Sequence, residues 1–86
     1  MLAIRPNYQG QTLLEAIARV LKKFSGHKVN ADMVVEELHG ELSPDLYRIA
    51  RERVVKNLSK GKVEGKWDSI PDQAGFYTFS LTKIKS

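Results

Sequence analysis

Lysine and arginine side chains are concentrated in one stretch of the chain, SPDLYRIARERVVKNLSKGK, which covers residues 43 to 62. Its cations are Arg48, Arg51, Arg53, Lys56, Lys60 and Lys62, and its acids are Asp45 and Glu52. A guanidinium group matches phosphate and the two acceptors of guanine, while an ammonium group attracts anions as a compact charge. The stretch therefore favours two interpretations: a surface for a polyanion, or a solvated helical face laced with ion pairs.

The charge balance of the whole chain is compatible with an anionic partner. Its 86 residues include 14 Lys and Arg against 10 Asp and Glu, which gives a net charge of +4 and an isoelectric point near 9.5. A moderate excess of this kind attracts polyanions through long-range electrostatics. The length predicts a single domain, and without cysteine no disulfide or thiolate metal site can supplement its core.

The residues needed for catalysis or metal binding do not occur at the required spacings. Serine, histidine and aspartate are present, yet the sequence contains no G-x-S-x-G turn and no phosphate-binding glycine loop. The two histidines, His27 and His39, are accompanied neither by cysteine nor by a helical His-Glu pair at ligand spacing. We therefore expect no catalytic activity, no metal and no cofactor.

No segment is suited to a membrane or to secretion. The chain has no apolar run of the roughly 18–20 residues that a transmembrane helix needs. The opening MLAIRPNYQG lacks the basic region and the apolar stretch of a signal peptide. The sequence therefore predicts a cytoplasmic protein that does not associate with membranes.

The beginning of the chain predicts an extended arm and then a helix. Proline, asparagine and glycine in residues 1–10 indicate the arm. Thr12 stands three residues before Glu15, which is the spacing of a capping box at a helix start. Apolar residues at helical spacing follow until glycine, so we expect a helix over residues 12–25.

Two further helices are predicted in close succession. Asn30 is a favourable N-cap, and the apolar pattern after it predicts a short helix over residues 31–39, preceded by a brief extended segment. Ser43 as N-cap and Pro44 at the first helical position predict a helix over residues 44–59. Its buried line is formed by Tyr47, Ala50, Val54 and Leu58.

The residues after this helix change from helical to alternating periodicity. KVEGKW alternates, DSIPDQAG has the composition of a loop, and FYTFSLTKI alternates again. Two alternating runs joined by glycine, proline and aspartate predict an antiparallel hairpin. Residues 83–86 form a short basic tail.

This order of elements resembles the winged helix-turn-helix superfamily over residues 11–82. RIARERVVKNLSKGKVEGKW is similar to the end of a recognition helix that continues into the first wing strand, and GFYTFSL is similar to the returning strand. The resemblance implies an α+β fold in which a three-helix bundle precedes a C-terminal antiparallel hairpin, the wing. It also implies binding of double-stranded DNA by a small transcriptional regulator or architectural protein, with helix 44–59 in the major groove.

The resemblance assigns roles to residues of this chain. Arg48 and Arg51 would meet base edges or phosphates, and Ser43 would hold a phosphate at the helix start. The expected backbone contacts are Lys56, Lys60, Lys62, Lys66, and the amides near Gln11 and Thr12.

Other interpretations of the same residues remain open. Arg48, Glu52 and Lys56 are spaced so that they could simply pair with one another along an exposed helix. The hairpin loop carries Asp68 and Asp72, with no cation between Lys66 and Lys83, which is unlike a wing that touches DNA.

These features favour an alternative in which the domain binds a partner protein through the acidic loop and an exposed Ile49. In a third interpretation the domain binds RNA, and its hairpin aromatics stack on unpaired bases. These aromatics are Trp67, Phe76, Tyr77 and Phe79. A homodimer is a further alternative, in which the arm packs on a second copy through Leu2, Ile4 and Tyr8.

Overall fold

The computed structural model of the protein describes residues 3–81; Leu2 of the predicted arm and the predicted tail, residues 83–86, lie outside them. The fold is α+β, with three helices and a small three-stranded antiparallel sheet. The helices are α1 (Leu13–Lys23), α2 (Ala31–His39) and α3 (Pro44–Val63). The strands are β1 (Val29–Asn30), β2 (Asp68–Ser69) and β3 (Phe76–Thr78), and a 3-10 turn covers Pro6–Tyr8.

Each helix begins directly after the residue whose side chain caps it. Thr12 accepts from the amide of Glu15 at 3.1 Å, and the Glu15 carboxylate accepts from the amide of Thr12 at 2.9 Å. Asn30 accepts from the amide of Met33 at 2.9 Å, and Ser43 caps α3 ahead of Pro44. Because a cap is a local interaction, the sequence predicted all three starts correctly.

The three helices enclose one apolar core. Each contributes a stripe of side chains at helical spacing, and burying such stripes against one another is the main force that holds a small domain together. The buried residues of these stripes are Ala16, Ile17, Val20, Leu21, Ala31, Val34, Val35, Leu38, Ala50, Val54 and Leu58. The buried line predicted for α3 is confirmed at Ala50, Val54 and Leu58, while Tyr47 is half-buried at the edge of the core.

The sheet joins the segment after α3 to the segment before α2. β3 is the central strand, and the order is β1–β3–β2 with both pairs antiparallel. Val29 is opposite Tyr77, and Asp68 is opposite Thr78. The extended segment predicted before α2 is confirmed, and it provides one edge of the sheet.

Helix α3 is one turn longer than predicted, and the first hairpin strand is not where the sequence placed it. Lys62 and Val63 are helical, so KVEGKW is not a strand, and Val63 is 80% exposed. The helix ends at Val63, and Gly65 follows with a φ of +78°. The Gly65 amide donates to Lys62 O at 3.1 Å, and the Lys66 amide donates to Gly61 O at 2.8 Å. The alternation in KVEGKW therefore arises from a helix end and a turn.

Helix α3 continues through Gly61 because Trp67 folds back onto that residue. The indole is 2% exposed, and its Nε1 donates to Leu58 O at 2.8 Å. A Cβ on Gly61 would lie 2.0 Å from Trp67 Cζ2, which is far inside van der Waals contact. Glycine is therefore required here to admit the ring, at a position where its low helix propensity is otherwise unfavourable.

The N-terminal arm packs on its own chain. It contains the 3-10 turn, and Tyr8, predicted to contact a second copy, is 4% exposed within the core. The Tyr8 hydroxyl donates to Glu37 at 2.9 Å, and the Arg5 amide donates to Leu38 O at 2.7 Å. Arg19 donates to Asn7 O and lies over the Tyr8 ring, 5.1 Å from its centroid.

A charged pair secures the place where the arm meets α2. Lys23 Nζ lies 2.8 Å from the Glu37 carboxylate, and this hydrogen bond lowers the pKa of Glu37, although burial opposes the shift. Burial in turn raises the pKa of Tyr8, and its hydrogen bond to Glu37 adds to the rise. The ionised form of Glu37 is therefore the form that the fold stabilises.

We expect Gly61→Ala to destabilise the fold by about 2 kcal/mol or more. Displacing a buried aromatic ring removes contacts worth about 3–5 kcal/mol, and the helix propensity of alanine returns only about 1 kcal/mol. Urea unfolding followed by the fluorescence of Trp67, the one tryptophan, measures the change. Gly65→Ala is the matched control, with an expected loss of about 1 kcal/mol from its positive φ alone. A Gly61→Ala protein as stable as the parent would contradict the account of this contact.

We expect Glu37→Gln to make stability less dependent on pH in mild acid. Because the pKa of Glu37 is lower in the folded than in the unfolded chain, its contribution is present above the ordinary value of 4.5 and is lost as the pH falls through the lowered value. Unfolding free energies measured from about pH 6 down to about pH 3 should fall less steeply in the variant. Glu36→Gln, an exposed neighbour without an ion pair in residues 3–81, should keep the parent slope.

Candidate nucleic-acid interface

The side of α3 opposite the core is open to solvent, as the helical spacing predicted. Asp45, Arg48, Glu52, Lys56 and Ser59 are all exposed along it. The arm and the helices α1 and α2 pack on the other side, through the buried stripe that contains Val54. One side of this 20-residue helix, about 30 Å long, is therefore accessible to a partner.

Near its start, α3 is joined to α2 by a shared carboxylate. Arg51 Nε lies 3.1 Å from Asp32 Oδ1, and the Tyr47 hydroxyl donates to the same oxygen. This hydrogen bond raises the pKa of Tyr47, with burial as a smaller cause. Arg51, predicted to contact DNA, is thus held by an acid, although half of its side chain remains exposed.

Arg48 is held only loosely. Its Nη2 lies 3.9 Å from Asp45 Oδ1, and the two side chains are 71% and 92% exposed. Exposed ion pairs at this distance contribute between about 0 and 1 kcal/mol and exchange readily with other anions. Arg48 is therefore available to a ligand in a way that Arg51 is not.

The second half of α3 carries cations that have no partner in the fold. Arg53, Lys56 and Lys60 are exposed and spaced i, i+3 and i+7, so they share one side of the helix, which we name the cationic stripe. Lys62 lies on the opposite side of the helix, and Lys66 follows in the turn. Within residues 3–81, none of these five side chains forms an ion pair or a hydrogen bond.

The ion pairs proposed along the face of α3 are absent from it. Arg48, Glu52 and Lys56 have the spacing for such pairs, but no ion pair in the described part of the chain involves Glu52 or Lys56. The pairs of Glu52 with Arg48 and Lys56 therefore do not form, and Arg48 pairs weakly with Asp45 instead. Arg53 was not among the predicted contacts, and its spacing from Lys56 and Lys60 is the signal that would have identified it.

The other residues predicted to contact phosphate lie outside the body of α3, and they differ in the hydrogen bonds that they already make. Gln11 lines a cavity with Arg53 between the arm and the helices, so these two residues share one surface. The amide of Thr12 donates to Glu15, which leaves it unavailable to a phosphate. Ser43 is exposed, and its hydroxyl accepts from Leu46 N at 3.5 Å.

The hairpin adds no positive charge to this surface. Residues 67–81 contain no lysine or arginine, and their acids are Asp68 and Asp72. Asp68 accepts from the amide of Leu81 at 3.0 Å, so this carboxylate helps to hold the returning segment against β2. Within residues 43–81, the positive charge therefore lies on α3 and the turn after it.

The aromatic residues of the hairpin mainly pack inward. Trp67 is buried on Gly61, so it cannot stack on an unpaired base. Tyr77 and Phe79 are partly buried against the core. The RNA-binding interpretation therefore loses its largest stacking side chain.

Neither histidine belongs to a metal-binding cluster in the described part of the chain. His39 Nδ1 is hydrogen-bonded to Ala3 O of the arm, and His27 is exposed. Among residues 3–81, no three His, Asp or Glu side chains are grouped to hold a metal ion. No helix in that range is long and apolar enough to cross a membrane.

Comparisons with known proteins do not add to this geometry. No protein family, no curated protein and no solved structure matches the chain. What the exposed face of α3 can bind therefore follows from its own charges and contacts.

Proposed function

We propose that the protein binds double-stranded DNA as a small winged helix, with α3 in the major groove and a regulatory or architectural role that involves no catalysis. The order of three helices and a three-stranded antiparallel sheet is compatible with that fold. An α-helix with its side chains is about 10–12 Å across, and the major groove is about 12 Å wide. The exposed face of α3 has the shape that this groove admits.

The observation that carries the proposal is the set of unpartnered cations on and after the second half of α3. Five exposed cationic side chains, from Arg53 to Lys66, form no ion pair within residues 3–81. Folding alone does not explain such a group, because like charges repel one another. A row of phosphates would neutralise them and release its condensed counterions.

The individual roles differ between the two halves of the helix. The cationic stripe, Lys62 and Lys66 contact phosphates, and Arg48 reaches the base edges because its pairing is weak. Arg51 holds α3 against α2 through Asp32, and its exposed half can still face the DNA backbone. The acidic hairpin stays away from the phosphates.

The alternative of a protein-interaction module has less support. Ile49, Val55 and Val63 are 38%, 41% and 80% exposed, but they are separated along α3 and around it. Separate apolar residues do not form the continuous patch that marks a protein interface. A homodimer through the arm is likewise less favoured, since Tyr8 is buried in its own chain.

We expect Lys56→Gln with Lys60→Gln to weaken duplex binding and to reduce its salt dependence. Five neutralised phosphates give a slope of log K against log salt of about −4.5, and three give about −2.7. Fluorescence anisotropy of a labelled duplex at several salt concentrations measures both slopes. The melting temperature should change little, because both side chains are exposed and unpaired.

The matched control is Lys22→Gln with Lys28→Gln, which removes the same charge from exposed positions in α1 and the loop after it. This variant should keep the parent slope. Equal losses in the two double variants would mean that binding follows net charge and that α3 is not the contact surface. A parent protein that does not bind duplex DNA at low salt would overturn the proposed function.

A further inference from the structure

The charges on the exposed face of α3 have a definite arrangement around Glu52. Viewed down the helix at 100° per residue, the cationic stripe forms one border and Lys62 the other, with Arg48 between Lys62 and Glu52. Glu52 lies between these two borders, on the part of the helix farthest from the core. Asp45 lies on the same line in the first turn, so two carboxylates occupy the middle of a surface whose edges are positive.

No structural role accounts for a carboxylate at this position. Asp45, the other acid of α3, stands in the first turn, where it is favoured by the helix dipole. Glu52 is in the helix interior, and within residues 3–81 it forms no ion pair and no hydrogen bond. If it faced phosphates it would weaken binding, so its place on the surface needs another explanation.

The major groove supplies the complementary pattern. Phosphates line its two walls, and base edges form its floor, so the positive borders of α3 would face the walls and Glu52 the floor. On that floor a carboxylate can only accept hydrogen bonds. Cytosine offers an amino donor there without an acceptor beside it, adenine places N7 next to its amino group, and guanine and thymine present acceptors.

We propose that Glu52 is a specificity-determining residue, which accepts a hydrogen bond from the exocyclic amino group of a cytosine in the major groove. This inference rests on the proposed DNA binding and adds that the binding is sequence-selective. Arg48, one turn away on the same face, carries the fork that suits the acceptors of guanine. The face of α3 therefore combines an acceptor and a donor for reading C·G pairs, between borders that bind phosphate.

The test is a selection of bound duplexes from a random-sequence library by the parent protein, Glu52→Gln and Glu64→Gln. Glu64 is the matched control, because it is an exposed acid at the end of the same helix and its replacement changes the charge equally. The parent and Glu64→Gln should both prefer cytosine at one position by about fivefold or more. Glu52→Gln should lose that preference while its affinity for unselected duplex rises.

Each other outcome has a separate meaning. If Glu52→Gln and Glu64→Gln raise affinity for all duplexes equally and keep the same preference, Glu52 is only a repulsive surface charge and the inference is overturned. A parent pool that is bound but shows no preference for cytosine overturns the inference and leaves DNA binding intact. If no variant retains any duplex at low salt, the proposed function fails together with it.

Discussion

The contact between the indole ring of Trp67 and the helical Gly61 determines how the chain passes from α3 to the sheet. Trp67 lies against Gly61 and donates to Leu58 O, so the chain that leaves α3 must turn back at once along the helix it has just completed. The sharp exit at Gly65 directs residues 68–69 to the edge of the sheet. The path of the chain from α3 to the sheet depends on this contact, while the buried stripe of α3 determines which of its sides is exposed.

The structure separates the part of α3 that holds the fold from the part that is free to bind. Near its start, the Asp32 carboxylate accepts from Tyr47 and pairs with Arg51, which fixes the helix against α2. Beyond Arg51, the charged side chains of α3 form no ion pair in residues 3–81 and are exposed. A ligand at the second half of the helix would therefore not have to break contacts that stabilise the domain, which is favourable for both binding and folding.

The sequence predicted what depends on neighbours along the chain. The three helix starts follow from capping residues within a few positions of the amides they satisfy, and the buried stripe follows from helical periodicity. The end of α3 was missed because Gly61 resembles a helix terminator until the ring of Trp67 is seen to require it. Strands of two or three residues, such as β2, carry too little periodicity to be located from alternation alone.

For the candidate interface, the sequence predicted which side chains are exposed but not which of them pair with an acid. The wheel placed Arg48 and Lys56 outward correctly, but the attachment of Arg51 to Asp32 joins residues on different helices. The same limit applies to the arm, where the burial of Tyr8 depends on Glu37 and Arg19 far along the chain. The winged-helix assignment and its DNA contacts stay predictions.

The central position of β3 has a consequence for the order of events during synthesis. One partner strand contains Val29, which lies before α2 and far back in the chain. The other contains Ser69, which precedes β3 by only a short loop. On the ribosome the three helices can gather before residues 76–78 emerge, but the sheet cannot close until they do. β3 is therefore the strand that completes the sheet, and a nascent chain arrested before it would leave the edge at Val29 without its partner.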